Sequence, residues 1–276
     1  MKATTKYNIP AALIVAALGL LSLFPLFWMV RSSLMSNLEI FRYPPLLLPT
    51  KWRFDNYAKA FTLLPFHRYF LNTLIIAIPA VFGVLTTSSM AAYAFARLEF
   101  PGKNLIFSLV IASMLMPMAC TIIPIFAGWA SLGLIDTFLP LIIPPFLGGG
   151  GVNIFLTRQF LRTIPRELDE AALIDGASHV RVMTAILLPL IKPVLITIGL
   201  FTFVYNWNDL MGPILYLNSS DNNTISQGLA NFRSGFGTDY RAIMAITTLT
   251  ISPVVAVFLV GQKYFVEGIA LSGLKA

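Results

Sequence analysis

Six apolar stretches alternate with polar ones along the chain, at approximately 9–30, 70–96, 105–130, 137–157, 187–215 and 242–261. Each can carry a helix across about 30 Å of hydrocarbon, which takes roughly 20 residues. Charge inside them is confined to the edges, where Lys192 stands early in the fifth stretch and Asp209 late. The pattern predicts six transmembrane helices in an all-α polytopic membrane protein, a single unit over residues 1–276. The fifth stretch exceeds one span, so its tail after Asn206 is expected to bend or re-enter.

Prolines at 25, 79, 117, 124, 140, 144, 145 and 253 fall within these stretches. In lipid they are tolerated where neighbouring helices satisfy the freed carbonyls, and they point to kinked helices lining a movable path. The run Gly148 to Gly151 permits close helix contact or a local break. No G-x-x-x-x-G-K-[ST] pattern occurs, so no nucleotide-binding loop is expected. Lys2 and Lys6 precede the first stretch as in a signal peptide. That stretch outruns the roughly 7–15-residue apolar core of such a peptide and lacks a small-x-small cleavage site, so it reads as a retained span.

Composition agrees with this pattern. With 57% hydrophobic residues, 11% charged residues and a mean hydropathy of +0.79, the chain lies far outside the soluble range. Its net charge of +7 is spread over the loops rather than gathered on one face, which argues against a nucleic-acid partner. With the N-terminus inside, the inner segments hold eleven Lys and Arg and the outer ones eight. Six of those eight lie in the first outer loop, so charge alone leaves the orientation open. Cys120, the only cysteine, sits in an apolar run, which excludes an intrachain disulfide and disfavours a reactive thiolate.

One polar insert stands apart. Between Arg158 and Arg181 lie Arg162, Arg166, Glu167, Asp169, Glu170 and Asp175. Thr163 and Pro165 predict a helix start, with the acids near its positive end. Leu168, Ala171, Ala172 and Asp175 would then share a small-surfaced face that another backbone can approach closely. Gly176 is expected in a left-handed turn, followed by Ser178 capping a second helix. In that helix Val180, Met183, Thr184, Leu187, Leu188 and Ile191 keep a 3.6-residue period that runs straight towards the fifth span. The prediction is a helix–turn–helix over residues 158–189. A helix lying on lipid would carry large apolar anchors and a Lys-rich face, whereas this one offers alanines and acids.

"EAALIDGASHVRVMTAILLP" resembles the EAA loop of ABC-importer permeases, with Glu170, Ala171, Ala172, Gly176, Ile186, Leu188 and Pro189 in register. "NTLIIAIP", "AYAFARLEFPGK", "LGLIDT", "FVYNWNDLMGP" and "QKYFVEGIALSGLKA" are similar to the carbohydrate-importer branch, in particular to the smaller, six-helix permease of maltose-transporter type. The resemblance implies a second permease subunit, two cytoplasmic ATPase subunits and an extracytoplasmic sugar-binding protein as partners. It also implies a multi-pass place in a bacterial-type cytoplasmic membrane, with the N-terminus and the EAA loop in the cytoplasm. ATP and Mg would be bound by the ATPase partners, with no cofactor or metal in this chain. The coupling residues it implies are Glu170, Ala171, Ala172, Asp175, Gly176 and Ala177.

For the solute, sugar sites combine aromatic faces with amides and acids, which makes Tyr205, Trp207, Asn208 and Asp209 candidates. The same residues also suit an interfacial aromatic belt. The outer segment 216–240 is longer than a connection requires. By the resemblance it reaches a binding protein through Asn222, Thr224, Gln227, Gly228 and Phe232. The expected function is ATP-coupled import of a sugar or oligosaccharide. The alternatives are a permease for a polyol or glycerophosphodiester, and an ATP-independent carrier, which would hold ionisable residues in mid-membrane. An enzyme is not expected, since no H-E-x-x-H or G-x-S-x-G occurs and His67 and His179 are predicted on opposite membrane faces.

Overall fold

Long unbranched and small apolar residues favour helix, and in hydrocarbon a helix alone satisfies its own backbone. The computed structural model describes residues 9–235 and 239–273, without the side chains of 232–235 and 264–273. The described residues form helices joined by turns, with no strand among them. Four helical segments are long and apolar enough to span: Ile9–Ser33, Phe66–Arg97, Leu139–Leu161 and Tyr240–Lys263. The count reaches six when two bent pairs each count as one span.

The chain divides into two compact units. One comprises Met1–Pro65 and Leu229–Ser252. It contains α1 (Ile9–Ser33), α2 (Asn37–Ile40), α3 (Asp55–Leu63) and the first part of the last helix. Within α1 only Arg31, Ser32 and Ser33 are buried, as fits a helix that is apolar all round and meets lipid rather than its own chain's core. The segment after it is held by polar contacts. Asn56 Nδ2 donates to the carbonyls of Ser33 and Met35 at 2.8 and 3.0 Å. Ser36 and Glu39 form a capping box. The Thr50 hydroxyl and the Ser36 backbone also donate to Glu39, holding its carboxyl down at about 2.

The other unit comprises Phe66–Gly228 and Pro253–Ala276. Its axis is α4 (Phe66–Arg97), which buries Asn72, Ile76, Ala80, Val84, Ser88 and Ala92 along one stripe. Then come α5 (Lys103–Met114), α6 (Met118–Ser131), α7 (Leu139–Ile142) and α8 (Gly151–Leu161). The stretch over 105–130 is bent, as its prolines suggest: α5 and α6 meet at 101°. Pro117 takes an extended backbone at the start of α6 and has no N–H to continue the ladder. The glycine run breaks the segment leading to α8, with Gly148, Gly149 and Gly150 all at positive φ. It also permits contact: a Cβ on Gly149 would stand 2.8 Å from the Val84 carbonyl oxygen, and one on Gly151 2.9 Å from that of Val110. Cys120 lies exposed on α6, not buried.

The polar insert forms α9 (Glu167–Ile174) and α10 (His179–Arg181), then a π-helical turn at Val182–Leu187 and α11 (Leu188–Leu190). After it come α12 (Lys192–Asn208), α13 (Met211–Tyr216), α14 (Ile225–Gly235) and α15 (Tyr240–Gly273). Two expectations are corrected here. The helix starts at Glu167, not Thr163, whose hydroxyl donates back to the Phe160 carbonyl at 2.8 Å. The second helix does not run straight into the fifth span but turns by 79° before α12. Pro189 withholds the N–H owed to the carbonyl four residues back, and Pro193 opens α12. The end of the fifth stretch bends as expected, through extended Asp209 into α13.

Candidate functional site

The α9–α10 turn is anchored on the end of α4. Ala92, Tyr93 and Ala96 of α4 pack with Leu161, Val182, Leu187 and Ile191, and Ala172 and Ala177 rest on this cluster. Polar contacts surround it. Arg97 Nε lies 2.5 Å from Asp169 Oδ2 with both side chains buried, and Arg97 Nη2 donates to the Ile164 carbonyl at 3.0 Å. Arg166 donates to the Ala96 carbonyl at 3.2 Å, and the Tyr93 hydroxyl is 3.0 Å from His179 Nδ1. Burial pushes the Asp169 carboxyl up, against the pull of Arg97 and then Arg166.

This packing divides the predicted coupling residues. Glu170, Ala171, Asp175 and Gly176 are exposed, while Ala172 and Ala177 are half-buried against the core. The proposed pairing of Ala171 with Ala172 on one outer face is corrected. Ala172 lies three residues after buried Asp169 and therefore shares its inner side. Gly176 has φ +82°, as expected for a left-handed turn, and Ser178 Oγ accepts from the Arg181 N–H at 3.4 Å. Ile174, which the sequence pattern did not mark, and Val180, which it placed on the apolar face of the second helix, instead flank the turn with 86% and 70% exposure. Exposed branched residues beside a fixed glycine turn are what a docking surface presents.

Because a Cβ on Gly176 would meet nothing within 4 Å, substitution there tests backbone geometry alone. Gly176→Val should strain the turn by about 1–2 kcal/mol. Gly176→Asn, which tolerates this conformation, should be milder. ATP-driven uptake at equal membrane levels of the two variants measures the difference, and equal activity would separate the turn from coupling.

A second feature is a cavity of about 620 Å³ among α6, α7, α8, α12 and α13. Trp129, Asn153, Tyr205, Asn206 and Asp209 line it. Of the residues predicted for the solute path, Tyr205 and Asp209 reach this cavity. Trp207 does not: it is buried against Phe70 and Phe203, with ring centroids 5.3 and 5.4 Å away. Asn208 turns back to the Val204 carbonyl at 2.8 Å and does not line the cavity. Tyr205 and Asp209 are four residues apart, about one helical turn, and so reach the same cavity, whereas Trp207 lies two residues from each and faces the core. Trp129 and Asn153, from the third and fourth apolar stretches, carry no signal in the sequence because a single stretch shows no convergence.

The stretch from Asn218 to Gly228 is pinned rather than free. Asp136, at φ 62°, accepts from the N–H groups of Asn218 and Ser219, both at 2.9 Å, from Asn222 Nδ2 at 3.1 Å, and from the Ser219 hydroxyl. Asn72 donates to the carbonyls of Asp221 and Asn223 at 2.8 and 2.9 Å, and Arg68 pairs with Asp221 at 2.9 Å. Thr224, Gln227 and Gly228 are buried, and a Cβ on Gly228 would stand 2.3 Å from the Tyr69 ring. The expected partner contacts at Thr224, Gln227 and Gly228 are therefore corrected to internal packing. Asn222 is half-buried against Asp136, and the side chain of Phe232 lies outside the described residues.

Hydrogen bonds from the Ser219 side chain, its backbone and Asn222 hold the Asp136 carboxyl well below the usual carboxylate range. A depressed folded value makes this contribution fully present above the unfolded carboxylate range, and it is lost only as pH falls through the folded value. The clamp is thus constant between about pH 5 and 8. Asp136→Ala should release Asn218–Asn222 and speed its cleavage in limited proteolysis throughout that window, where the parent shows no pH dependence.

Bent apolar spans around a cavity that carries aromatic, amide and carboxylate side chains are the arrangement of a membrane transport subunit. The chain belongs to the family described as binding-protein-dependent transport system inner membrane component, whose model matches residues 83–270. It is 34% identical to the diacetylchitobiose uptake system permease protein NgcG of Streptomyces coelicolor, covering 87% of this chain and 80% of that one. It is 31% identical to the arabinooligosaccharides transport system permease protein AraQ of Bacillus subtilis, covering 98% and 96%. Similarity to the sn-glycerol-3-phosphate transport system permease protein UgpE of Yersinia enterocolitica is 33% identity over 91% of each. A chain from the crystal structure of a bacterial ABC transporter that imports the acidic polysaccharide alginate shares the fold, with TM-score 0.82, 24% identity and 94% and 96% coverage.

Proposed function

We propose that this subunit conducts a sugar or oligosaccharide across the cytoplasmic membrane, driven by a separate ATPase that seats against the α9–Gly176–α10 turn. The observation that carries the reading is the division of α9: one side is locked to α4 through Arg97 and Asp169, while Glu170, Ala171 and Ile174 stand outward. A partner gripping that outer side would move the end of α4 and, through α11, the start of α12. The saccharides in the names of NgcG and AraQ support the solute class, as does a cavity that joins an aromatic face to amides and a carboxylate.

The remaining assembly follows from the same reading. A second permease subunit faces the exposed apolar surfaces, ATP and Mg reside on the ATPase pair, and an extracytoplasmic binding protein delivers the solute. The N-terminus and α9 lie on the cytoplasmic side. The similarity to UgpE favours one further reading, a glycerophosphodiester or polyol as solute. Uptake into vesicles carrying the complete complex separates the two. Labelled oligosaccharide accumulating only with ATP supports the proposal, while accumulation of glycerol phosphates to the exclusion of saccharides supports the other.

A further inference from the structure

Four cations gather at one end of the second unit, where α4 ends, α5 begins and α8 ends: Lys103, Arg158, Arg162 and Arg166. They line a cavity of about 480 Å³ in which Glu99 is the only acid, giving four positive charges against one negative. Internal contacts use part of this charge. Lys103 donates to the Leu98 carbonyl at 2.6 Å and to Glu99 at 3.1 Å, and Arg158 donates to the Phe95 carbonyl at 3.3 Å. Arg158 also lies over the Phe107 ring, 4.0 Å from its centroid. The Arg162 side chain has no hydrogen bond or ion pair among the described residues, although it stands one helical turn from Arg158, where like charges repel.

A cluster of this kind at the end of spanning helices lies at headgroup depth. Leu105 and Leu109 of the adjoining α5 are 67% and 61% exposed, an apolar surface running from the cavity along the helix. Cations facing a cavity next to an exposed apolar wall match a phosphodiester headgroup with its acyl chains attached. A free phosphate would use the cations but not the wall. We propose that the cavity holds the phosphate of an anionic phospholipid and so ties the α4–α5 turn and the base of α9 to the membrane surface. Its cytoplasmic placement rests on the orientation proposed above.

The test uses the assembled transporter, purified and exposed to mixed micelles of phosphatidylglycerol and phosphatidylcholine, with retained lipid counted by mass spectrometry. The parent should retain phosphatidylglycerol in preference. Arg162→Gln should weaken that preference about fivefold and Arg162→Glu on the order of thirtyfold, at about one cation's worth of attraction per unit charge. The Arg162 side chain makes no hydrogen bond or ion pair among the described residues, so its replacement removes no internal bond, and Arg162→Lys should restore the preference. Equal preference in the parent and Arg162→Glu would overturn the proposal. Full competition by inorganic phosphate would do the same by assigning the cavity to the free anion. Because retention is read without ATP, it can fail while coupled uptake persists, and uptake can fail while retention persists.

Discussion

Arg97→Met should detach α9 from α4. The substitution leaves the Asp169 carboxylate, with side-chain exposure of only 11%, without the guanidinium 2.5 Å away. Breaking a buried pair from one side costs about 3–5 kcal/mol, because the remaining charge is neither hydrated nor matched. Burial already pushes the Asp169 carboxyl up, and without Arg97 it rises further. A raised folded value makes the folded state bind protons more readily than the unfolded one, so the variant should gain stability as pH falls and lose it as pH rises. Hydrogen exchange over residues 167–178 should accelerate strongly at pH 8 and less at pH 5. Adding Asp169→Asn should recover much of the protection, since it removes the stranded charge. Unchanged exchange in Arg97→Met would mean that the pair does not hold α9.

Glu170→Lys should act differently. Glu170 is exposed and on the side of α9 turned away from α4, so its replacement leaves the Arg97–Asp169 lock intact. The chain should reach the membrane at parental levels with α9 protected from exchange. If the ATPase presents a cation to this acid, reversing the charge strands that cation and costs about 3–5 kcal/mol, enough to lower association by roughly two to three and a half orders of magnitude. Uptake should then fall to background, and ATPase subunits should no longer copurify with the permease. The contrast between the two variants separates a fold defect from a docking defect. Full uptake by Glu170→Lys would remove this residue from the interface.

Much of this architecture is legible in the sequence because hydrocarbon permits few backbones. Uninterrupted apolar length specifies the spans, and Gly176 followed by Ser178 specifies the turn. The sharp bends are less legible, since proline is common in membrane helices: Pro25 and Pro79 sit within continuous helices, whereas Pro117 marks a 101° break. The residue type is the same in all three, so nothing local separates a tolerated proline from one that ends a helix. The site is legible in the same uneven way. Glu170 and Gly176 are marked by local pattern, but Asp169 has the same local signature as Glu167 and Glu170. Its partner Arg97 lies 72 positions earlier in the chain, by subtraction of the two residue numbers. Likewise Asp136 organises Asn218–Asn222 from 82 positions away. Trp207, Thr224 and Gln227 look like ligand residues by type, and only their packing shows that they serve the fold.

Single cysteines placed along residues 167–180, in a chain with Cys120 replaced by Ser, measure the coupling surface most directly. A membrane-impermeant thiol reagent applied to inside-out vesicles should label Glu170→Cys, Ala171→Cys, Ile174→Cys and Val180→Cys in the free permease. Labelling at Asp169→Cys should be slow, because α4 covers that position. On assembly with the ATPase, those four should become protected together. If those four positions label equally fast in the assembled complex, the ATPase does not seat on the outer face of α9, and the coupling assignment is wrong.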